Sequence, residues 1–371
     1  MASITRPFAT KNSAARIARA KLYKFQEAVQ FMAAGKHIGF AVVGLGSIAK
    51  SSVLPAFAHC KNAKLVAVVG RDNKANAQLA KKFGARFAYN SADYSNCLAN
   101  PLVDAVYIAT PPGAHLELAV EAARAGKHVL CEKPLAATVA QAAAIVEACR
   151  VNGVFLMTAY RKYFEPSTVH IKKLIRDGTL GRIDMVHSAF SEPHISGRSL
   201  DWLLDPNLAG GGPLTDLGIY CVNTTRWLLG EDPTEATATS WRNDRLRFRD
   251  VEEGISFRLK FPGGAILQGA TTYSAAISSF LFIQGSKGWL SLSPAFPFDE
   301  TRVLAGKIGK RNIQKKFKIV DEFAPEIDTF AEAINKKKPV GPDGNQGLRD
   351  MKILRAIYEA ASRKETVAIR Y

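Results

Sequence analysis

The sequence predicts an α/β N-terminal domain on a doubly wound parallel sheet, followed by an α+β domain with a large open, mainly antiparallel sheet. Three observations carry this. The 371 residues are more than one hydrophobic core usually serves. Up to about residue 160, short β-rich runs alternate with helix-compatible stretches, the rhythm of βαβ units. Beyond it, β-rich runs follow one another through glycine turns with no helix between them, which favours antiparallel pairing.

The elements follow in order. "IGFAVVG" (38–44) is a strand and Ile48 to Cys60 a helix; "KLVAVVG" (64–70) is a second strand, and "NKANAQLAKKFG" a helix ended by Gly84. "LVDAVYIAT" (102–110), "HVLCE" (128–132) and "VFLMTA" (154–159) are further strands, separated by helices from about Ala114 to Ala125 and Val139 to Arg150. Their Val/Ile/Leu content suits strands covered on both faces. Helices near 167–176 and 213–229 bracket "RIDMVHSAFSE". The runs "EATATSWR", "EGISFRLKF", "AILQGATTYS" and "SFLFIQGSKGWLSLS" then build the second sheet, with helices on one side. Helices near 324–335 and 346–362 close the chain. The expected divisions are a basic arm (1–36), a first domain (37–160), a second domain (161–345) and a closing helix and strand (346–371).

Fifty Lys+Arg against 33 Asp+Glu give a net charge of +17, which suits nucleic acid, an anionic membrane or a phosphorylated small molecule. The basic runs "GKIGKRNIQKKFK" (306–318) and "NKKKP" (335–339) lack aromatic interleaving and any DNA-reading motif. They read as solvated faces, so nucleic acid is not an expected partner. No apolar run is long enough to span a bilayer, and no membrane partner is expected. Cys60, Cys97, Cys131, Cys149 and Cys221 are scattered and without CxxC spacing. That pattern points to reduced thiols, no structural zinc and a cytoplasmic setting. Residues 1–36 are rich in Lys and Arg, with Glu27 their one acid. They read either as an organellar transit peptide or as a helical arm on a neighbouring subunit.

"AVVGLGSIA" (41–49) places Gly44-Leu-Gly46-Ser-Ile-Ala49 between the first strand and its helix. Gly44 and Gly46 allow a tight turn and close approach to a pyrophosphate, and the helix N-terminus supplies N–H donors. In this context the motif predicts a Rossmann dinucleotide site. An NAD site usually ends its second strand in an acid that holds the ribose 2′-hydroxyl. Here that strand ends in Gly70 and Arg71, room and a guanidinium for a 2′-phosphate, which favours NADP over NAD. Asp72, one residue further, argues the other way, and a plain surface arginine is the competing reading of Arg71.

"AGGGPLTDLGIYCVN" (209–223) spaces Asp216 and Tyr220 four apart, so on a helix they share one face, continued by Asn223 and Thr224. Read alone, Asp216 is an N-cap and Tyr220 a half-buried tyrosine. Lys133 changes that reading. It follows the fourth strand, at the sheet edge where doubly wound folds bind ligands. An ammonium beside a phenol favours the phenolate, so Lys133 tunes Tyr220, Tyr220 transfers a proton, and Asp216 orients hydroxyls.

"GLGSIA", "TPPGAH", "GKHVLCEKPL", "AYRKYFEP", "GGGPLTDLGIYCVN" and the closing "GLRDMKILRAIYEAA" occur in an order and spacing that resemble the glucose–fructose oxidoreductase/inositol dehydrogenase superfamily (Gfo/Idh/MocA). The tyrosine resembles the glucose–fructose oxidoreductase branch. The resemblance implies that Lys133 and Tyr220 are catalytic, with Asp216 in the substrate site. It places Gly44, Gly46, Ser47, Ile48, Arg71, Thr110, Pro111, His115, Glu132, Lys133 and Arg161 around the dinucleotide. It also implies a cis Lys133–Pro134 bond and a homodimer or homotetramer formed through the second domain's sheet. Where the family often has an asparagine, this chain has Pro112. His115 reads equally as a cofactor contact or a helix cap, and Trp202 as a substrate neighbour or a loop anchor. His187 and His194 lack metal-site spacing, so no metal is expected.

The function this implies is NADP(H)-dependent hydride transfer, with NAD the alternative, between nicotinamide C4 and a sugar or polyol carbon, C1 of an aldopyranose. The alternatives are a dihydrodiol or D-xylose-type dehydrogenase, or a non-catalytic dinucleotide-binding regulator. Retention of Lys133, Asp216 and Tyr220 together argues against the regulator.

Overall fold

The computed structural model describes residues 37–193, 201–338 and 341–371. The arm 1–36 and His194 lie outside the described residues. The first sheet is parallel and has six strands: β1 (Ile38–Val43), β2 (Ala63–Gly70), β3 (Phe87–Asn90), β4 (Ala105–Ile108), β5 (His128–Glu132) and β6 (Leu156–Ala159). Every residue of β1 and β4 is buried, as the unbroken apolar runs require of strands covered on both faces. The sequence reading above omits β3. Its four residues, FAYN, are no more than half-buried at the sheet edge and make no apolar run.

The strand order β3-β2-β1-β4-β5-β6 reverses direction between β1 and β4. Chains leaving these two strands turn opposite ways, which opens a crevice at their carboxyl ends. The sequence motifs at 44–49, 110–111 and 132–134 all fall on this edge.

The second sheet has nine strands in the order β14-β13-β12-β11-β7-β10-β9-β8-β15. They are β7 (Ile183–Ser191), β8 (Glu235–Trp241), β9 (Gly254–Lys260), β10 (Ile266–Thr272), β11 (Ser278–Gly285), β12 (Gly288–Ser293), β13 (Arg302–Ile308), β14 (Arg311–Phe317) and β15 (Val367–Ala368). Pairing is antiparallel except between β7 and β10. Buried and exposed positions alternate along β9 and β10, so one face packs on helices and the other stays open. His187 sits on β7 with its ring 6.1 Å from Phe282. Lys310, Arg311, Lys315 and Lys316 of the basic run are exposed on the β13–β14 hairpin, as expected of a solvated face.

Two late helices tie the layers together. The helix Phe323–Lys336 returns to the first sheet, where Phe330 packs on Phe40 (6.2 Å between ring centroids) and Ile327 and Ala331 join the core around Val42 and Val68. The helix Gly344–Arg363 packs against both the helix Val139–Val151 and β8. At Gly347 a β-carbon would lie 2.5 Å from Thr158 Oγ1, so this close approach needs glycine.

Candidate active site

The crevice widens into a cleft of about 1390 Å³ that runs from the Gly44–Gly46 loop to Asp216 and Tyr220. At its first end β1 stops at Val43, and Gly44 turns with φ +91°, a conformation that favours glycine. A β-carbon there would meet the Ala109 backbone at 2.7 Å, so the loop also lies too close to β4 for any side chain. Gly46, Ser47 and Ile48 line the cleft beside it, and a π-helical turn follows at Ala49–Val53.

Arg71 is exposed and lines the cleft just beyond β2. Asp72, the residue that argued for NAD, caps the helix Asn73–Phe83 by accepting the Ala75 N–H at 3.0 Å. Gly70 lines the cleft just before Arg71 and is also fixed by packing. A β-carbon there would meet Asn76 Oδ1 at 2.5 Å, and the buried Asn76 amide donates to Gly70 O and Tyr89 O at 2.8 Å each. Packing against Asn76 therefore also requires glycine at this position of the cleft lining.

Thr110 and Pro111 follow β4 and line the cleft; the Thr110 hydroxyl oxygen is buried without a hydrogen-bond partner. His115 does not line it. The ring is fully buried, with Nε2 2.9 Å from Thr110 O and Nδ1 3.2 Å from Leu135 O, so it braces the two strand-end loops from behind. Burial lowers its pKa despite those carbonyls. Both ring nitrogens face carbonyl oxygens of these loops, and the ring points away from the cleft lining.

At the other end, Lys133 follows β5 and the Lys133–Pro134 bond is cis. Lys133 Nζ donates to Asp216 O at 2.8 Å and to Asp216 Oδ1 at 3.0 Å, and lies 4.8 Å from the centre of the Tyr220 ring. Burial would pull its proton off, but Tyr220, Asp216 and Glu132 outweigh burial and hold its pKa above the ordinary lysine value. Three residues separated by up to 87 positions (133 to 220) thus meet at one point of the cleft.

Asp216 stands in a π-helical turn, Leu214–Gly218, that leads into the helix Ile219–Leu229. The glycines before it are clamped by buried Glu252, which accepts Gly212 N and Leu214 N at 3.0 Å and the Tyr358 hydroxyl at 2.8 Å. Asn223 does not continue the reactive face. It is buried and donates to Asp350 Oδ2 at 2.7 Å.

The Tyr220 ring is boxed by Phe190, Phe296, Lys133 and Arg161. Arg161 was expected at the dinucleotide, and it does line the cleft. Its guanidinium, however, donates to Glu322 Oε2 and Phe296 O at 2.6 Å each and lies 4.9 Å from the Tyr220 ring centre. Glu132 likewise lines the cleft with both oxygens engaged, by the Tyr107 hydroxyl at 2.8 Å and by Lys133 N at 3.2 Å.

Sequence reasoning missed several neighbours. Tyr273 donates to Asp216 Oδ2 at 3.1 Å, and Glu192, Phe190 and Phe298 line the cleft with Trp202. Burial, then Asp216 and Asp299, raise the pKa of Glu192. None of these belongs to a spaced motif.

The residues fit a nicotinamide dinucleotide. The glycine-only turn at Gly44, the orphaned Thr110 hydroxyl and the cation at Arg71 form one end, and a Lys–Asp–Tyr cluster forms the other. Among the described residues no group of three or more metal-ligating side chains occurs.

Comparisons with known proteins agree with this layout. Residues 38–160 match the model of the GFO/IDH/MocA "Oxidoreductase family, NAD-binding Rossmann fold", and residues 168–291 match the "GFO/IDH/MocA C-terminal domain". The chain is 31% identical to a D-xylose 1-dehydrogenase [NADP(+)] from Haloarcula marismortui, over 90% of this chain and 93% of the relative. Among solved structures, an aldose-aldose oxidoreductase from Caulobacter crescentus complexed with glycerol superposes with a TM-score of 0.86 at 33% identity, covering 90% of this chain and 100% of that one. A 3-ketoreductase from Actinomadura kijaniata, in complex with NADP and TDP-benzene, gives 0.77 at 26% identity, covering 87% and 97%.

Proposed function

This chain belongs to the Gfo/Idh/MocA oxidoreductase family, and on that premise we propose that it moves a hydride between NADP(H) and C1 of an aldopyranose, with Tyr220 as acid/base. The observation that carries the proposal is the convergence of Lys133, Asp216 and Tyr220 at the end of the cleft opposite the Gly44–Gly46 loop. Bound nicotinamide supplies a hydride donor or acceptor at C4. Every other task falls to the chain.

Tyr220 takes the proton of the sugar hydroxyl as the carbon is oxidised, and returns it in the reverse direction. Lys133, held as an ammonium, is a fixed positive charge beside that phenol and offsets negative charge gathering on the oxygen. Asp216, gripped by Lys133 and Tyr273, offers its remaining lone pairs to a neighbouring sugar hydroxyl. The NADP preference rests on Arg71, with Asp72 committed to its helix cap. The names of the D-xylose and aldose-aldose relatives support a neutral aldose as substrate.

The assembly reading is a homodimer or homotetramer that covers the open face of the second sheet. Met185, Phe280 and Trp289 are each 36–39% exposed there, on adjacent strands.

The test is a spectrum of whatever nucleotide copurifies, followed by the change in its 340-nm band, roughly the reduced nicotinamide absorption, on adding candidate aldoses. Tyr220→Phe is expected to lower kcat by about 10²- to 10⁴-fold with NADPH affinity unchanged. Full activity in that variant would remove Tyr220 from the chemistry.

A further inference from the structure

One buried acid in the cleft wall has no part in the chemistry above. Glu326 stands on the helix Phe323–Lys336 and lines the cleft beside Glu132, Ala159, Arg161 and Phe298. It has no solvent exposure. Its Oε2 lies 3.5 Å from the Tyr107 hydroxyl, but that hydroxyl has one hydrogen and gives it to Glu132 Oε1 at 2.8 Å. Glu326 Oε1 is buried without a hydrogen-bond partner. Buried polar atoms are almost always paired in native proteins, so an orphan in the wall of a binding cleft points to the group that the cleft serves.

Burial, and then the charge of Glu132, push the Glu326 carboxyl well above the usual range, against the pull of Arg161. A carboxyl so held favours its protonated form, which has one O–H to donate and one C=O to accept. A primary carboxamide offers the mirror of that pair, a C=O that accepts and an N–H that donates. The terminal torsion of glutamate is soft, so either oxygen can turn towards the cleft.

We propose that Glu326 reads the carboxamide of the nicotinamide ring and so fixes which ring face is turned towards Tyr220. The inference rests on the dinucleotide reading above. Hydride transfer uses one face of C4, and a two-point hydrogen bond to the carboxamide stops the ring from flipping. The helix that carries Glu326 is packed into the first sheet through Phe330 and Ile327, so the acid is held rigidly.

Equilibrium titration of the full chain tests this with three ligands: NADP, nicotinic acid adenine dinucleotide phosphate and 2′-phospho-ADP-ribose. The second carries a carboxylate in place of the carboxamide, and the third has no nicotinamide. The wild type is expected to hold NADP about tenfold or more tighter than the nicotinic acid analogue. Glu326→Gln keeps a donor and an acceptor, so NADP affinity should stay within about threefold while discrimination narrows, because the new N–H groups can serve a carboxylate. Glu326→Leu should lose about tenfold for NADP and nothing for 2′-phospho-ADP-ribose. Unchanged NADP binding by Glu326→Leu, or an equal loss for both ligands, would overturn the assignment. So would a wild type that binds NADP and the nicotinic acid analogue alike, an arm that needs no variant to fold. A wild type that binds none of the three would instead bring down the dinucleotide reading itself.

Discussion

Asp216 is held on both oxygens: Tyr273 donates its hydroxyl hydrogen to Oδ2 at 3.1 Å, and Lys133 Nζ donates to Oδ1 at 3.0 Å. The partners lie 57 and 83 positions away in the chain, one at the end of β10 and the other at the end of β5. A carboxyl group so gripped has one orientation, set by segments from both sheets together.

Tyr273→Phe releases one of those grips without touching the proton transfer. The sugar KM should rise so that kcat/KM falls about tenfold, with kcat little changed, as for a lost hydrogen bond to a charged group. Steady-state kinetics decides it. A fall in kcat at constant KM would place Tyr273 in the proton transfer instead.

Arg71→Ala removes the cation that lines the cleft just beyond β2. NADP should weaken by about ten- to a hundredfold while NAD binding stays level, since only NADP carries the 2′-phosphate. Parallel titrations with the two nucleotides read this directly, and equal losses would show that Arg71 has no part in the choice.

Acid should undo the buried ion cluster behind Tyr220. Burial alone would raise the Glu165 pKa, but Lys162, Arg302 and the hydroxyls of Ser167 and Thr168 outweigh it and hold the group at about 2. A carboxyl with a depressed folded pKa stabilises the fold above its ordinary 4.5, and that stability drains away as pH falls towards about 2. Melting curves across that window should show a steep drop in Tm for the wild type and a flatter one for Glu165→Gln. Identical slopes would remove Glu165 from the acid response.

Phe280→Asp places a charge on the open face of the second sheet, where Phe280 is 39% exposed. Sedimentation should show a lower assembly state than the wild type, with secondary structure retained by circular dichroism. An unchanged mass would move the interface elsewhere.

Much of this was legible in the sequence because it is local. Glycine in "GLG" speaks of a tight turn wherever it occurs, and the alternation of apolar runs with helical stretches sets a doubly wound sheet without knowledge of long-range contacts. The direction of the His115 side chain was not legible for the opposite reason. Its place after β4 suits a cofactor contact, but the direction of its ring is set by Leu135, which arrives from another loop. The packing of Gly70 on Asn76 was likewise out of reach, because it depends on how the following helix folds back on the strand. Strand β3 escaped because an edge strand of four half-exposed residues has no pattern to read.

The sequence by itself determined the two-sheet architecture, the glycine turn at the dinucleotide end and the candidacy of Lys133, Asp216 and Tyr220. Tertiary structure alone decided their company: Tyr273 on Asp216, Arg161 against Tyr220, and Glu326 brought back into the first sheet by a helix nearly two hundred residues beyond Glu132. Periodicity and turn chemistry depend on near neighbours. Hydrogen bonds and burial depend on which distant segments meet, and that is settled only when the chain has closed on itself.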